Sequence, residues 1–188
     1  MNGWKWKERI IIKILVVVDF QNDFVYGPLG TKEAQAIVSN VIRKIEDNFY
    51  DMIIWTKDIH HSNYFSTKEG LALPIEHCMY GTPGSEIVES VQYANPRTFY
   101  QEFFTKDTYG SYDLADYLYK NIDQVNDYIE FIGVCTDICV ISNALMARSA
   151  IPEANIIVDA SCCAGTTPEK HFAALEVMKS CNIEVINE

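Results

Sequence analysis

A thiol, a carboxylate and an ammonium group stand far apart along this chain, at Cys139, Asp19 and Lys106. Cys139 lies in Gly133-Val134-Cys135-Thr136-Asp137-Ile138-Cys139-Val140, between a strand-like segment and a helix-like one. Backbone N–H groups at a helix start favour an anion, whether a thiolate or the oxyanion of an attacked carbonyl. A carboxylate beside such a thiol would take its proton, and an ammonium would favour both charged partners, so that a thioester could form. Each residue alone also has an ordinary reading. Cys139 could be a buried structural cysteine, Asp19 a turn cap within Val16-Val17-Val18-Asp19-Phe20, and Lys106 a solvated lysine. The combination is what argues for chemistry.

The elements that would bring these residues together follow from apolar spacing. Ile10 to Val18 reads as a buried parallel strand ending at Asp19. Glu33 to Asp47 carries Ala36, Ile37, Val41, Ile42 and Ile45 at helical spacing, and Met52 to Thr56 is a short apolar strand ending at Lys57-Asp58. A long, mostly irregular stretch covers Ile59 to Gly84. Helix Asp113 to Asn121, strand Asp127 to Ile132, a helix from Ile138 to Ala150 with Cys139 in its first turn, strand Asn155 to Val158, helix Pro168 to Ser180 and strand Ile183 to Ile186 complete the pattern. Alternating strands and helices predict a single α/β domain over 1–188, a doubly wound parallel sheet with helices on both faces. Ligands in such folds sit beyond the carboxyl ends of the strands, where Asp19, Asp58 and Cys139 all fall.

Composition narrows the partners. With 188 residues and 48% hydrophobic content, the chain can bury a substantial core. Its formal charge of −11 argues against nucleic acid or an anionic membrane, since both need a basic face, and leaves small molecules. Lys5, Lys7 and Arg9 before the run from Ile10 imitate a signal peptide, but Lys13 interrupts the run and no small-residue cleavage site follows. No stretch reaches the roughly 20 apolar residues of a membrane span. Six cysteines, Cys162 and Cys163 among them, read as reduced thiols in the cytoplasm rather than a disulfide framework.

Three separated motifs carry a resemblance: the DFQNDF segment with Asp19, the K-x-x-Y-G-S segment with Lys106, and the GVCTDICV segment with Cys139. Together they resemble the isochorismatase-like cysteine hydrolases, and within them the nicotinamidases, from about Ile14 to the C-terminus. The resemblance implies an Asp-Lys-Cys triad at Asp19, Lys106 and Cys139, and a cis peptide between Val134 and Cys135. With these would come an oxyanion hole from the N–H groups of Cys135 and Cys139, and substrate walls at Phe24 and Tyr109. It also implies a divalent metal held by Asp58, His60, His77 and Glu69, a ligand set that suits Zn²⁺ and also Fe²⁺ or Mn²⁺. Tyr64 stands where many nicotinamidases have a further His, and Glu69 is the expected substitute; Cys78 ranks below it. Leu73-Pro74 stands where many nicotinamidases have an aromatic residue before the proline. His61 is expected in solvent and His171 on a helix surface. The implied activity is ammonia release from a small carboxamide by a homo-oligomeric enzyme. Two alternatives stay open. One is the same machinery acting on another amide or carbamoyl substrate. The other is a non-enzymatic zinc or thiol module using Cys135 and Cys139, whose spacing has three residues between the thiols, not the two of a C-x-x-C redox site.

Overall fold

A computed structural model describes residues 11–47, 49–94 and 100–188. Six strands form one sheet: β1 (Lys13–Val18), β2 (Met52–Asp58), β3 (Gln101–Lys106), β4 (Tyr128–Val134), β5 (Asn155–Ala164) and β6 (Glu184–Ile186). Their order is β3-β2-β1-β4-β5-β6, and every pairing is parallel. The first residue of the expected first strand, Ile10, and the basic residues Lys5, Lys7 and Arg9 lie outside the described residues.

The chain enters in the middle of the sheet, steps outward to β3, then returns to β4 and steps the other way. With right-handed crossovers this reversal puts the helices of the two halves on opposite faces. Helices α1 (Asn22–Val25), α2 (Lys32–Ala36), α3 (Val38–Asp47), α4 (Lys68–Ala72) and α5 (Glu89–Gln92) belong to the first half. Helices α6 (Tyr112–Asn121), α7 (Ile141–Ala150) and α8 (Pro168–Ser180) belong to the second. On one face α3 packs with α2 and α5; on the other α6 packs on α7 and α7 on α8. This is the expected doubly wound arrangement. Strand β1, covered from both sides, buries all of Ile14 to Val18, and its unbroken apolar run is the sequence form of a central parallel strand.

Four details depart from expectation. Strand β3 was not anticipated from spacing. It lies at the sheet edge, where its residues alternate between exposed and half-buried up to buried Lys106, so no apolar run marks it. The helix expected over Glu33 to Asp47 is divided at Ile37 into α2 and α3. Strand β5 runs on to Ala164 because its register shifts: Phe131 pairs with Val158 but Gly133 pairs with Cys163. Cys139 lies in a π-helical turn, Thr136–Val140, that precedes α7, rather than in the first α-helical turn.

Two backbone features fix the inner strand ends. Gly133 has φ +123°, and a Cβ there would meet Val18 O at 2.1 Å, so only glycine lets β4 close on the end of β1. Asp19, the next residue along β1, itself has φ +46°, a conformation seldom adopted by a non-glycine residue and found where function requires it. The Val134–Cys135 peptide is cis. Among the described residues no helix is long and apolar enough to cross a membrane.

Candidate active site and metal centre

Asp58 and Lys106 end neighbouring strands β2 and β3 and pair in register, Asp19 follows β1, and Cys139 follows β4. Parallel strands align their carboxyl ends, so residues far apart in sequence converge at one rim of the sheet. Lys106 Nζ is 2.6 Å from Asp19 Oδ2, 3.7 Å from Cys139 Sγ and 3.7 Å from Asp58 Oδ1. All four side chains are buried. Asp19 is held from behind: Thr56 Oγ1 donates to Oδ1 at 2.6 Å, and the Asp19 N–H points to Thr56 O at 3.2 Å. Oδ2 has the lysine ion pair but no aligned hydrogen bond of its own.

Burial pushes the Cys139 thiol well above its ordinary value; the Asp19 carboxylate pushes the same way and the Lys106 charge opposes. Burial thus works against the thiolate that a helix start alone would favour, and the Lys106 charge works for it. Burial also raises Asp19, against the pull of Lys106. Burial works against the charge on Lys106, yet Asp19, Cys139 and Asp58 together hold it firmly protonated.

Beside the triad stand Asp58, His60, Glu69 and His77, whose donor atoms all lie within 4.8 Å of one another. Asp58 Oδ2 is 3.0 Å from His60 Nε2 and 3.6 Å from His77 Nε2, while Glu69 Oε1 is 3.8 and 3.7 Å from the same two nitrogens. Donors about 2.1 Å from one ion stand roughly 3 to 4 Å apart, so the set has the dimensions of a single divalent site. Two further observations fit it. His77 Nδ1 lies 2.9 Å from Ile75 O, a contact that calls for the proton on Nδ1 and turns Nε2 toward the other donors. His60 Nε2 is buried without any aligned hydrogen bond, an orphan that a cation would satisfy. Burial opposes charge on His77, but Asp58 and Glu69 push its pKa up to about 10, while the two imidazoles hold Asp58 well below the usual carboxylate range despite its burial.

The structure brings the four residues expected at a metal site together, and likewise Asp19, Lys106 and Cys139. Tyr64 lies outside the four-donor set: its ring packs on His60 and His77, with centroids 4.7 and 5.3 Å away, and its hydroxyl donates to Leu73 O at 2.8 Å. Cys78 is buried and outside the cluster; burial pushes its thiol up, and its carbonyl accepts from the His60 N–H at 2.9 Å. His61 is exposed, as expected. His171 is half-buried rather than on the surface, with Nδ1 2.8 Å from Thr136 Oγ1.

Supporting residues were missed by reasoning on single side chains, although three sit inside the DFQNDF motif. Gln21, fully buried, bonds the main chain of Asp58 and donates to Ser85 O at 2.8 Å. Asn22 Nδ2 donates to Pro83 O at 2.9 Å, and Asp23 Oδ2 accepts from the Cys78 N–H at 2.8 Å, next to His77. The motif is thus a hub that ties the metal loop to the end of β1. Asn143 of α7 does the same for the triad: it donates to Cys139 O at 2.8 Å and Tyr109 O at 3.3 Å, and accepts from the Ser111 N–H at 2.9 Å.

Both groups open into one cavity of about 370 Å³. Cys135, Cys139, Asp58, Glu69 and His77 form its reactive end, and Phe24, Leu73, Tyr109 and Ile138 form apolar walls. A flat apolar molecule with a polar end fits such a cleft.

Known proteins agree with this picture. The chain is 29% identical over 208 residues to a nicotinamidase of Schizosaccharomyces pombe, an alignment covering 93% of this chain and 92% of that protein. It is 29% identical over 192 residues to a nicotinamidase/pyrazinamidase of Mycobacterium tuberculosis, covering 93% and 98%. Among solved structures, the pyrazinamidase of Pyrococcus horikoshii in complex with zinc superposes with a TM-score of 0.72 at 30% identity, covering 94% of this chain and 99% of that one. The Isochorismatase domain profile matches residues 13–188, and with nearly the whole described fold inside that match, the chain belongs to the isochorismatase domain family.

Proposed function

We propose that the protein is a metal-assisted cysteine amidohydrolase that releases ammonia from a small carboxamide, nicotinamide in the first place, leaving the free acid. The observation that carries this reading is one ammonium, Lys106, lying between a carboxylate and a thiol at 2.6 and 3.7 Å, in a cavity shared with a four-donor metal cluster. The relatives named nicotinamidase support the substrate.

In this mechanism Cys139 Sγ bonds to the carboxamide carbon while its proton passes to Asp19 Oδ2, the oxygen with no aligned hydrogen bond. The N–H groups of Cys135 and Cys139 receive the oxyanion. When the C–N bond breaks, Asp19 returns the proton to the leaving nitrogen and ammonia departs. Water then adds to the thioester with its proton again taken by Asp19, the C–S bond breaks, and the acid leaves with the thiol restored. Lys106 favours the ionised form of Asp19 and negative charge on sulfur. A divalent ion held by Asp58, His60, Glu69 and His77, with zinc the first choice and iron or manganese suited to the same donors, would polarise a ring nitrogen or a water. Phe24 and Tyr109 would clasp the substrate ring.

A second reading, the same residues acting on another amide or carbamoyl group, draws on Leu73. This aliphatic wall stands where an aromatic one was the expectation for a nicotinamidase. The six cysteines are free thiols, which suits the cytoplasm. Exposed Phe103, Tyr112 and Tyr119 on β3 and α6 offer apolar surface for a homo-oligomer. The deciding assay is ammonia release from nicotinamide beside a panel of small amides and ureido compounds, with and without chelator. Turnover of nicotinamide that the chelator suppresses supports the first reading. Turnover confined to another compound supports the second, and no turnover of any refutes both.

A further inference from the structure

The metal cluster is bordered by two cavities. Asp58, Glu69 and His77 line the cleft described above, whereas His60 and Glu69 line a separate cavity of about 230 Å³ on the outer side. Glu69 lines both and so stands between them. The other three ligands are tightly fixed. Gln21 bonds the Asp58 backbone, the His60 N–H donates to Cys78 O, and His77 Nδ1 contacts Ile75 O. The Glu69 backbone is also held, its carbonyl accepting from the Leu73 N–H at 2.7 Å, but its side chain is less constrained. It rides on the five-residue helix α4, its side chain is 18% exposed against 2 to 7% for the others, and among the described residues its carboxylate touches only the two imidazoles, at 3.7 Å or more.

The two cavities also differ in what they offer a cation. The cleft is walled mainly by apolar side chains, Phe24, Leu29, Leu73 and Ile138. Beyond the donor set and the two thiols, its polar lining is Thr31, Thr166, the Tyr109 hydroxyl and the repelling cation Lys170, which give a hydrated ion no anionic or imidazole donor in exchange for its water. The outer cavity is edged by exposed His61, Asn63 and Asp107, with Lys68 the opposing charge. Imidazole, amide and carboxylate donors spaced along a path let an ion trade waters one at a time, and the −11 charge of the chain draws cations in.

We propose that the outer cavity is the route by which the divalent metal enters and leaves, with Glu69 as the ligand that swings aside and His61 and Asp107 as transient donors at the mouth. This rests on the four-donor site binding a metal, and does not depend on the substrate. The test is the rate of Zn²⁺ uptake by chelator-stripped protein, read with a chromophoric competitor in a stopped-flow instrument, and the rate of Zn²⁺ loss to excess chelator. The Asn63 side chain makes no capping bond, so Asn63→Trp fills the cavity at little structural cost. It should slow uptake and loss together by about tenfold or more, with one metal per chain still bound at equilibrium. The double variant His61→Ala/Asp107→Asn should slow uptake severalfold without narrowing the path. Alkylating Cys139 to plug the cleft should change neither rate. Unaltered rates in both variants, or slowing by the cleft plug, would overturn the route. A protein that binds no zinc at all overturns it too, whereas one that binds zinc by these kinetics but hydrolyses no amide leaves the route standing and removes only the enzymatic reading.

Discussion

Gln21 grips the main chain of Asp58 from both sides: its Oε1 accepts from the Asp58 N–H at 2.7 Å, and its Nε2 donates to the Asp58 carbonyl at 2.7 Å. One amide side chain thereby orients a carboxylate that faces both Lys106 and the two imidazoles.

Replacing Gln21 by Leu keeps most of the volume but leaves the buried N–H of Asp58 and the carbonyls of Asp58 and Ser85 without these partners. Calorimetric or denaturant unfolding should show a loss of about 2 to 4 kcal/mol. Elemental analysis should show depleted metal, although Gln21 is no ligand. A stable variant with full metal content would mean that the clamp does not position Asp58.

Asp19 and Cys139 give a prediction with opposite signs for two readouts. The Asp19 carboxylate raises the thiol pKa, so Asp19→Asn should move the iodoacetamide alkylation profile of Cys139 to lower pH. The same substitution removes the proton acceptor and should cost several orders of magnitude in amide turnover. Cys139→Ala should abolish turnover outright, and adding Asp19→Asn to it should cost little more. An alkylation profile moving to higher pH would show that Asp19 serves mainly to acidify the thiol.

The metal donors should separate by burial. His60→Ala and His77→Ala should bind little metal by elemental analysis, while Glu69→Ala should bind it more loosely. Tyr64→Phe should keep full metal content, because Tyr64 only packs on the imidazoles, but it frees Leu73 O and should raise KM. Full metal content in His60→Ala would refute the site.

Gly133→Ala should be among the most damaging small substitutions in the molecule. The added methyl meets Val18 O, and φ is +123°. A stability loss of about 3 kcal/mol or more is expected, with Asp19 displaced along with the end of β1. Thermal unfolding and triad activity measure the two effects, and a variant wild-type in both would show that β1 and β4 can part without consequence.

The legibility of the sequence was uneven for physical reasons. Buried parallel strands such as β1 and β4 announce themselves because both faces must be apolar. Asp19, Lys106 and Cys139 stood out because side chains with chemistry sit next to strand ends within three separated motifs, whereas the four metal candidates came only through the family resemblance. Strand β3 was not legible, since an edge strand with one wetted face has weak spacing, and Gln101 to Lys106 follows no apolar run. The length of β5 was hidden because its register shift depends on backbone pairing with β4, not on side-chain pattern. Gln21, Asn22 and Asn143 escaped because, apart from the Asn143 bond to Cys139 O, their partners are backbone groups 32 to 64 residues away, which leave no local trace.

Because Asp58 and Lys106 are paired rungs of the same β-ladder, their mutual distance is set by hydrogen-bond register and not by any loop. Inserting a single residue inside β3 would carry the lysine about 3.3 Å along the strand and turn it to the opposite face. Strand lengths near the rim are therefore frozen, while segments feeding into the strands from the far side can grow or shrink freely. Lineages that diversify this scaffold should record insertions at the amino ends of β2 and β3 and almost none between Ile53 and Asp58 or Gln101 and Lys106.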